Sequence, residues 1–345
     1  MYKSGELIKM KKNNILEIHQ SGLKTWRRCH RLYYYKYILS LEKRHKPNAL
    51  VRGTIVHAMI EAKAKHEDPW ETFDQFIQDN YKVFQEEQEY FGMEEMISDI
   101  MEGYFSYYKN DDLRPYPIKH PEGIRVAEHR FSVPLVPELN IWFGGTIDMV
   151  VEDDHDRIWL MDHKTHKTLP KGDVAYLNIQ SNLYGWAMDQ LDNFPNPEGM
   201  VWNYIRWKQP TKPELLKNGG LSHSSKIDTT WAIYKKAIRE AGLDIKDYKD
   251  MEDTLKGKEE DFYVRHYLPF NRHVQKNILE DAKCTATEIY HNAGKIKDRN
   301  ITRDCSWCEF YPLCQAELKN LDTSTMLKFE YKKGENDDTQ EQDEE

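Results

Sequence analysis

Long apolar runs are missing from this chain. No stretch approaches the roughly eighteen consecutive apolar residues that mark a membrane-spanning helix, so none is expected. The opening MYKSGELIKMKKNN lacks the apolar centre of a secretion signal, which makes the cytoplasm the expected compartment. Cysteine is scarce as well, at five in 345 residues. In a reducing compartment structural disulfides are rare. Yet Cys305, Cys308 and Cys314 crowd into 304-DCSWCEFYPLC-314, and clustered cysteines there point to a metal. Three thiolates are one short of a closed site. No internal repeat is visible either. The length and a 39% hydrophobic content allow one large core with a small satellite, or two domains.

Basic charge is short overall, with a net charge of −9 that at first argues against nucleic acid. The average hides two regions. The tail 334-GENDDTQEQDEE-345 carries seven acids and no basic residue, and without them 49 basic residues face 51 acidic ones. The first 52 residues hold thirteen Lys and Arg against three acids. A basic front and an acidic, disordered tail are therefore expected to act as separate electrostatic regions.

The pattern of apolar residues changes along the chain. Ser21 precedes a helical repeat through Leu23, Trp26, Cys29 and Tyr33, which predicts a Ser-capped helix over 22–38. Gly53 is read as the opening of a second helix over 54–66, and the stretch from Asp68 to Asn110 is helix-rich with a break near Gly92. Pro115, Pro117 and Pro121 end that run. Strands are predicted at 125–135, 141–151 and 157–165, the last two joined by the polar turn EDDHD as a hairpin. A helix follows at 174–190, then strands at 199–208 and 261–269 and a final helix over 271–293. The order β-β-β-α-β with flanking helices predicts an α/β (α+β) domain around a central mixed sheet. The expected units are a basic helical front (1–52), a helical region (53–124), a core (125–293), a cysteine segment (294–320) and the tail (321–345).

The chemistry gathers in the middle. Asp162 and Lys164 are two apart on one strand, so they share a face, and hairpin pairing brings Asp148 beside them. Two carboxylates suit a hard cation such as Mg²⁺ or Mn²⁺, which activates water and offsets charge on a phosphodiester. A neighbouring lysine can orient that water. Taken alone, an Asp-x-Lys pair is more often an ordinary surface salt bridge. Gln180 and Tyr184 lie four apart on the next helix and share a face. His57 lies in GTIVHAMIE among apolar neighbours, where a core histidine is the commoner reading. Glu128, on the strand before the hairpin, is a further candidate for the acidic cluster.

The set 145-GTIDMVV-151, 162-DHKT-165 and 180-QSNLY-184, with an upstream His57, resembles the PD-(D/E)XK nuclease superfamily. It resembles most closely the RecB/AddB-like branch that includes CRISPR-associated exonucleases. The resemblance implies a restriction-endonuclease-like core and a metal-dependent DNA exonuclease acting at DNA ends in recombination, repair or replication. It implies His57, Asp148 and Asp162 as ligands of Mg²⁺ or Mn²⁺, the His163 backbone carbonyl as an added oxygen, and Lys164 as the catalytic lysine. Gln180 and Tyr184 become the Q-x-x-x-Y pair, in contact with Lys164 or DNA.

Iron–sulfur members of that branch place one cysteine before the core and three after it. Here Cys29 precedes and Cys305, Cys308 and Cys314 follow, as C-x2-C-x5-C. The resemblance therefore implies a structural 4Fe–4S cluster joining the two ends of the chain. Four cysteines also suit structural zinc. Many relatives have Pro after the first cysteine, where this chain has His30. Cys284 is left over and is expected to pack as a small apolar side chain. The length and cysteine pattern resemble phage-encoded members, which would place the protein in a host cytoplasm. With DNA as substrate, single- or double-stranded, Lys24, Arg27, Arg28 and Arg31 become candidate phosphate contacts interleaved with Trp26 and tyrosines 33–35. Arg206, Lys208 and Arg265 are candidates nearer the sheet. A replication or recombination protein is a candidate partner. Two other classes fit parts of this pattern: a noncatalytic DNA-binding or assembly subunit, and a redox protein using the cluster alone. Among nucleases, CRISPR spacer processing is the alternative role.

Overall fold

The computed structural model describes residues 15–44, 48–81, 91–120, 123–170, 178–192 and 194–334. The acidic tail beyond Gly334 and the first four residues of the helix expected at 174–190 lie outside the described residues. So does Pro121. Among the described residues no helix is long and apolar enough to cross a membrane.

A mixed sheet of seven strands forms the centre. Strand β1 (Leu16–His19) leads directly into helix α1 (Gln20–Arg28). Helices α2 (Asn48–Ala64), α3 (Pro69–Asp79) and α4 (Met93–Tyr107) follow. Then come β2 (Ala127–Val136), β3 (Ile141–Glu152) and β4 (Ile158–His166), helix α5 (Ile179–Met188) and β5 (Gly199–Arg206). Helix α6 (Trp231–Glu240), β6 (Tyr263–Pro269), α7 (Arg272–Asn292) and α8 (Tyr311–Leu318) complete the main elements. The path runs β1-β3-β4-β5-β6, with β2 and the short strand Arg114–Pro115 also on β3. This is the central mixed sheet flanked by helices expected from the sequence.

Two cores sandwich the sheet. On one face, Leu23 and Trp26 of α1, Leu183 and Ala187 of α5, and Ala286 and Ile289 of α7 pack over Leu160 and Trp202. On the other, Ile55 and Met59 of α2 and Ile97 and Ile100 of α4 cover Met161 and Val201. Successive strand residues thus serve opposite cores, as period-two side chains must. A separate small cluster of Leu221, Trp231, Tyr234, Ile238, Tyr248, Met251 and Leu255 organises the polar 211–259 segment.

Several sequence expectations shift. The helix foreseen over 22–38 begins at Gln20, and Ser21 lies inside it rather than capping it. It breaks at Cys29, whose backbone is extended (φ −170°, ψ 122°), and resumes as a short helix over His30–Tyr33 and a π-helical turn over Tyr34–Ile38. The break turns the cysteine away from the helix axis. Gly53 does not open its helix but lies within α2. Gly92 does mark the break before α4, as a left-handed residue at φ 75°.

One irregularity shapes the centre. Along one edge, β3 pairs with β1 in parallel over Ile141–Gly144 and with β4 antiparallel over Met149–Glu152. Residues 145–148 have no ladder partner there. The β3–β4 ladder ends at Met149↔Met161, and β4 continues alone with β5 up to His166↔Arg206. The two strands therefore part just where Asp148 and Asp162 stand.

Candidate active site

The parting strands leave a notch, and side chains fill it. Asp148 Oδ2 accepts a hydrogen bond from the backbone N–H of His163 at 2.8 Å. A side chain thus replaces the ladder bond that the strands no longer make. His57 reaches in from α2. Its Nε2 donates to the His163 carbonyl at 2.9 Å, which leaves Nδ1 with its lone pair 3.4 Å from Asp148 Oδ2. A carbonyl only accepts, so this contact sets the tautomer. The carbonyl expected to face a metal is here engaged by His57.

Glu128 enters through backbone strain. Its φ is +52°, a left-handed conformation uncommon for a residue with a side chain. The β2–β3 register passes from Ala127↔Met149 to His129↔Ile147, so Glu128 and Asp148 drop out of the ladder together. As a result one ligand atom from each of His57, Glu128 and Asp148 lies within 4.8 Å of the others. Strain held at such a place is characteristic of functional sites. The sequence favoured Asp162 as the third ligand and left Glu128 as the addition; the structure clusters Glu128 with the histidine.

Asp162 has other partners. Gln180 Nε2 donates to its Oδ1 at 2.6 Å, and Lys164 Nζ is ion-paired with its Oδ2. Asp162 is buried, whereas Lys164 remains partly open and lies 5.2 Å from the Trp202 ring centroid. Gln180 is held at the start of α5, where the Asn178 side chain caps the helix by accepting from the Gln180 N–H at 2.8 Å. Tyr184, one turn on, packs edge-on against Phe131 at 5.1 Å. Gly145 permits this approach: a Cβ there would meet Phe131 at 2.7 Å and the Tyr184 hydroxyl at 2.9 Å.

The electrostatics report a surplus of negative charge. Burial and Asp162 push the Asp148 carboxyl up to about 7. Burial, then Asp148 and Glu61, push Glu128 up to about 7 as well. Burial holds His57 below its usual value, so it stays neutral. Two carboxyls that resist ionisation beside a lone-pair nitrogen are a fitting donor set for a hard divalent cation, which would relieve the repulsion. Glu61 was missed by the sequence reading. It lies four residues after His57 on α2, and that spacing was the available signal.

The basic candidates divide. Lys24 is exposed and lies within electrostatic reach of Lys164, which, after partial enclosure, lowers its pKa. Arg27 donates to Thr285 Oγ1 at 2.7 Å and to the Asp281 carbonyl at 2.6 Å, binding α1 to α7. Arg28 donates to the Asp304 carbonyl at 2.9 Å, and Arg31 lies 3.5 Å from Glu317. Arg206 and Lys208 both pair with Asp228. Arg265 corrects an expectation. It forms a two-point ion pair with Asp111 (2.5 and 2.7 Å), sits over Tyr108 and is only 7% exposed, so it braces the fold and is not offered to a phosphate.

Cys29, Cys305, Cys308 and Cys314 line one cavity of about 50 Å³, together with Arg28, Arg31 and Arg299. Arg299 Nε donates to Cys314 Sγ at 3.2 Å, and burial raises the Cys308 thiol. Cys284 is free and exposed, not packed as expected.

Residues 18–315 match the PD-(D/E)XK nuclease superfamily, and the chain belongs to it. No match was found among curated proteins. Among solved structures, the crystal structure of SSO0001 is similar at 10% identity and a TM-score of 0.31, over 87% of this chain and 86% of that one. Membership in this superfamily supports a nuclease, a hydrolase of phosphodiester bonds.

Proposed function

We propose that this nuclease is a divalent-metal-dependent exonuclease that removes nucleotides from DNA ends in recombination, repair or replication. The observation that carries this reading is the pairing of Lys164 with Asp162 at the rim of the His57–Glu128–Asp148 cluster. His57 Nδ1, Asp148 and Glu128 would hold Mg²⁺ or Mn²⁺, with Asp162 beside them. Such an ion, when bound, supplies Lewis acidity and lowers the pKa of water. The protein's own groups do the positioning. Gln180 fixes the Asp162 carboxylate, Asp162 fixes the Lys164 amine, and Lys164 orients the attacking water toward phosphorus. The 3′-oxygen then leaves, giving a 5′-phosphate end.

We also assign a 4Fe–4S cluster to the four cysteines. The support is that all four cysteines, one before the core and three after it, line one cavity. The role of such a cluster here is structural.

The test is digestion of end-labelled linear DNA, single- and double-stranded, by anaerobically purified protein with Mn²⁺, Mg²⁺ or EDTA. Loss of nucleotides from one end, abolished by EDTA and reduced about 10²-fold or more in Lys164→Ala, is the expected result. Full activity in that variant would overturn the mechanism. A folded, cluster-loaded protein that binds DNA without cutting it would point instead to a noncatalytic subunit.

A further inference from the structure

Trp307 is 83% exposed, an unusual state for the largest apolar side chain. It does not hang on a loose loop. The turn Arg303–Trp307 is braced by Cys305 N–H to the Thr302 carbonyl (3.1 Å), Cys308 N–H to the Cys305 carbonyl (3.1 Å) and Ser306 Oγ to the Arg303 carbonyl (2.8 Å). It is also tied to α1. Arg28 donates to the Asp304 carbonyl, and Asn300 Nδ2 donates to the Arg28 carbonyl at 3.0 Å. A turn backbone held this way need not be ordered when the ring binds a partner.

Helix α1 links this ring to the active site. Lys24 stands within electrostatic reach of Lys164 and Asp162. Arg28 follows four residues later on the same exposed face, about 6 Å along the axis. Exposed Arg303 lies on the same turn as the ring, and Ile301, 71% exposed, is a second exposed apolar side chain of this segment. An apolar ring at the end of a line of cations matches a polymer with a charged backbone and flat apolar faces. We infer that Trp307 is a base-stacking platform for single-stranded DNA running along α1 between the active site and the cysteine module. The inference rests on the nuclease reading and adds a strand preference to it. A duplex keeps its base faces stacked internally and has none to offer.

The first measurement is fluorescence anisotropy of labelled oligo-dT and of a duplex of equal length, in EDTA so that nothing is cut. Trp307→Ala should weaken single-strand binding about 5- to 100-fold. Trp307→Phe should stay near wild type, and duplex affinity should be unchanged. Equal single-strand affinity in wild type and Trp307→Ala overturns the inference and leaves the ring to a protein contact. Photocrosslinking of the wild type to oligo-dT carrying single 5-iodouracils avoids any folding defect. Crosslinks to the 303–311 peptide from positions a few nucleotides inside the end support the platform, and their absence at every position overturns it. A wild type that neither binds nor cuts either DNA when Mn²⁺ is supplied overturns the nuclease reading itself, a result distinguishable from a silent Trp307 substitution.

Discussion

Glu128 and Asp148 face each other across a missing rung of the sheet, and both carboxyls are pushed up to about 7. Their folded values stand above the ordinary carboxylate range. The stability they contribute is therefore present in full below about pH 4 and is lost as pH rises through about 7. Without a divalent ion, the thermal midpoint should fall across that window. Asp148→Asn keeps an acceptor for the His163 N–H and removes the charge. It should raise stability at pH 8 in EDTA by about 1–3 kcal/mol while abolishing cleavage, as denaturant melts and DNA digestion will show. Since a cation requires both groups ionised, Mn²⁺ should bind about 10- to 100-fold more weakly at pH 6 than at pH 8 in calorimetric titrations. Unchanged affinity across those pH values would remove these carboxylates from the ligand set. The identities of Asp148, Asp162, Lys164, Gln180 and Tyr184 were legible because they lie in short motifs with fixed spacing. Glu128 was legible only as a possible addition to the cluster, because a left-handed residue in mid-strand leaves no pattern in composition.

Helix α5 presents Gln180 and Tyr184 to the notch, and its own seating depends on Gly185. A Cβ there would meet Gln275 Nε2 at 2.4 Å and Phe270 at 2.7 Å. Gly185→Ala should cost about 1–3 kcal/mol through overpacking and lower turnover by shifting Gln180 from Asp162; denaturant melts and single-turnover cleavage check both. The elements β3, β4, β5 and α7 fall within a few residues of their sequence-predicted bounds, because their periodicities are long and their turns polar. Strand β1 was missed. Four residues, LEIH, are too few to show a period, and their parallel partner on β3 lies far along the chain. The break at Cys29 was hidden for a different reason: apolar spacing continues through it, while backbone geometry does not.

Early and late described segments of the chain meet at the cysteine module. Cys29 and Cys308 share its cavity, Tyr35 donates to Glu317 at 2.6 Å, and Leu41–Lys43 pairs antiparallel with Tyr331–Lys333. Helix α1, which carries Lys24 toward Lys164, is held at its far end by this module. If the cysteines hold the proposed cluster, Cys29→Ala removes its visible absorption, lowers the thermal midpoint by several degrees, and reduces cleavage although every proposed catalytic side chain is intact. Wild-type activity in a colourless Cys29→Ala protein would separate the module from catalysis. This closure also carries a consequence for synthesis. Helix α1 is synthesised long before its partners Asn300 and Asp304, so these contacts form only after the intervening core has been made. A nascent chain arrested before Cys305 should be inert toward DNA. Activity toward DNA would then begin only once the cysteine segment has been made.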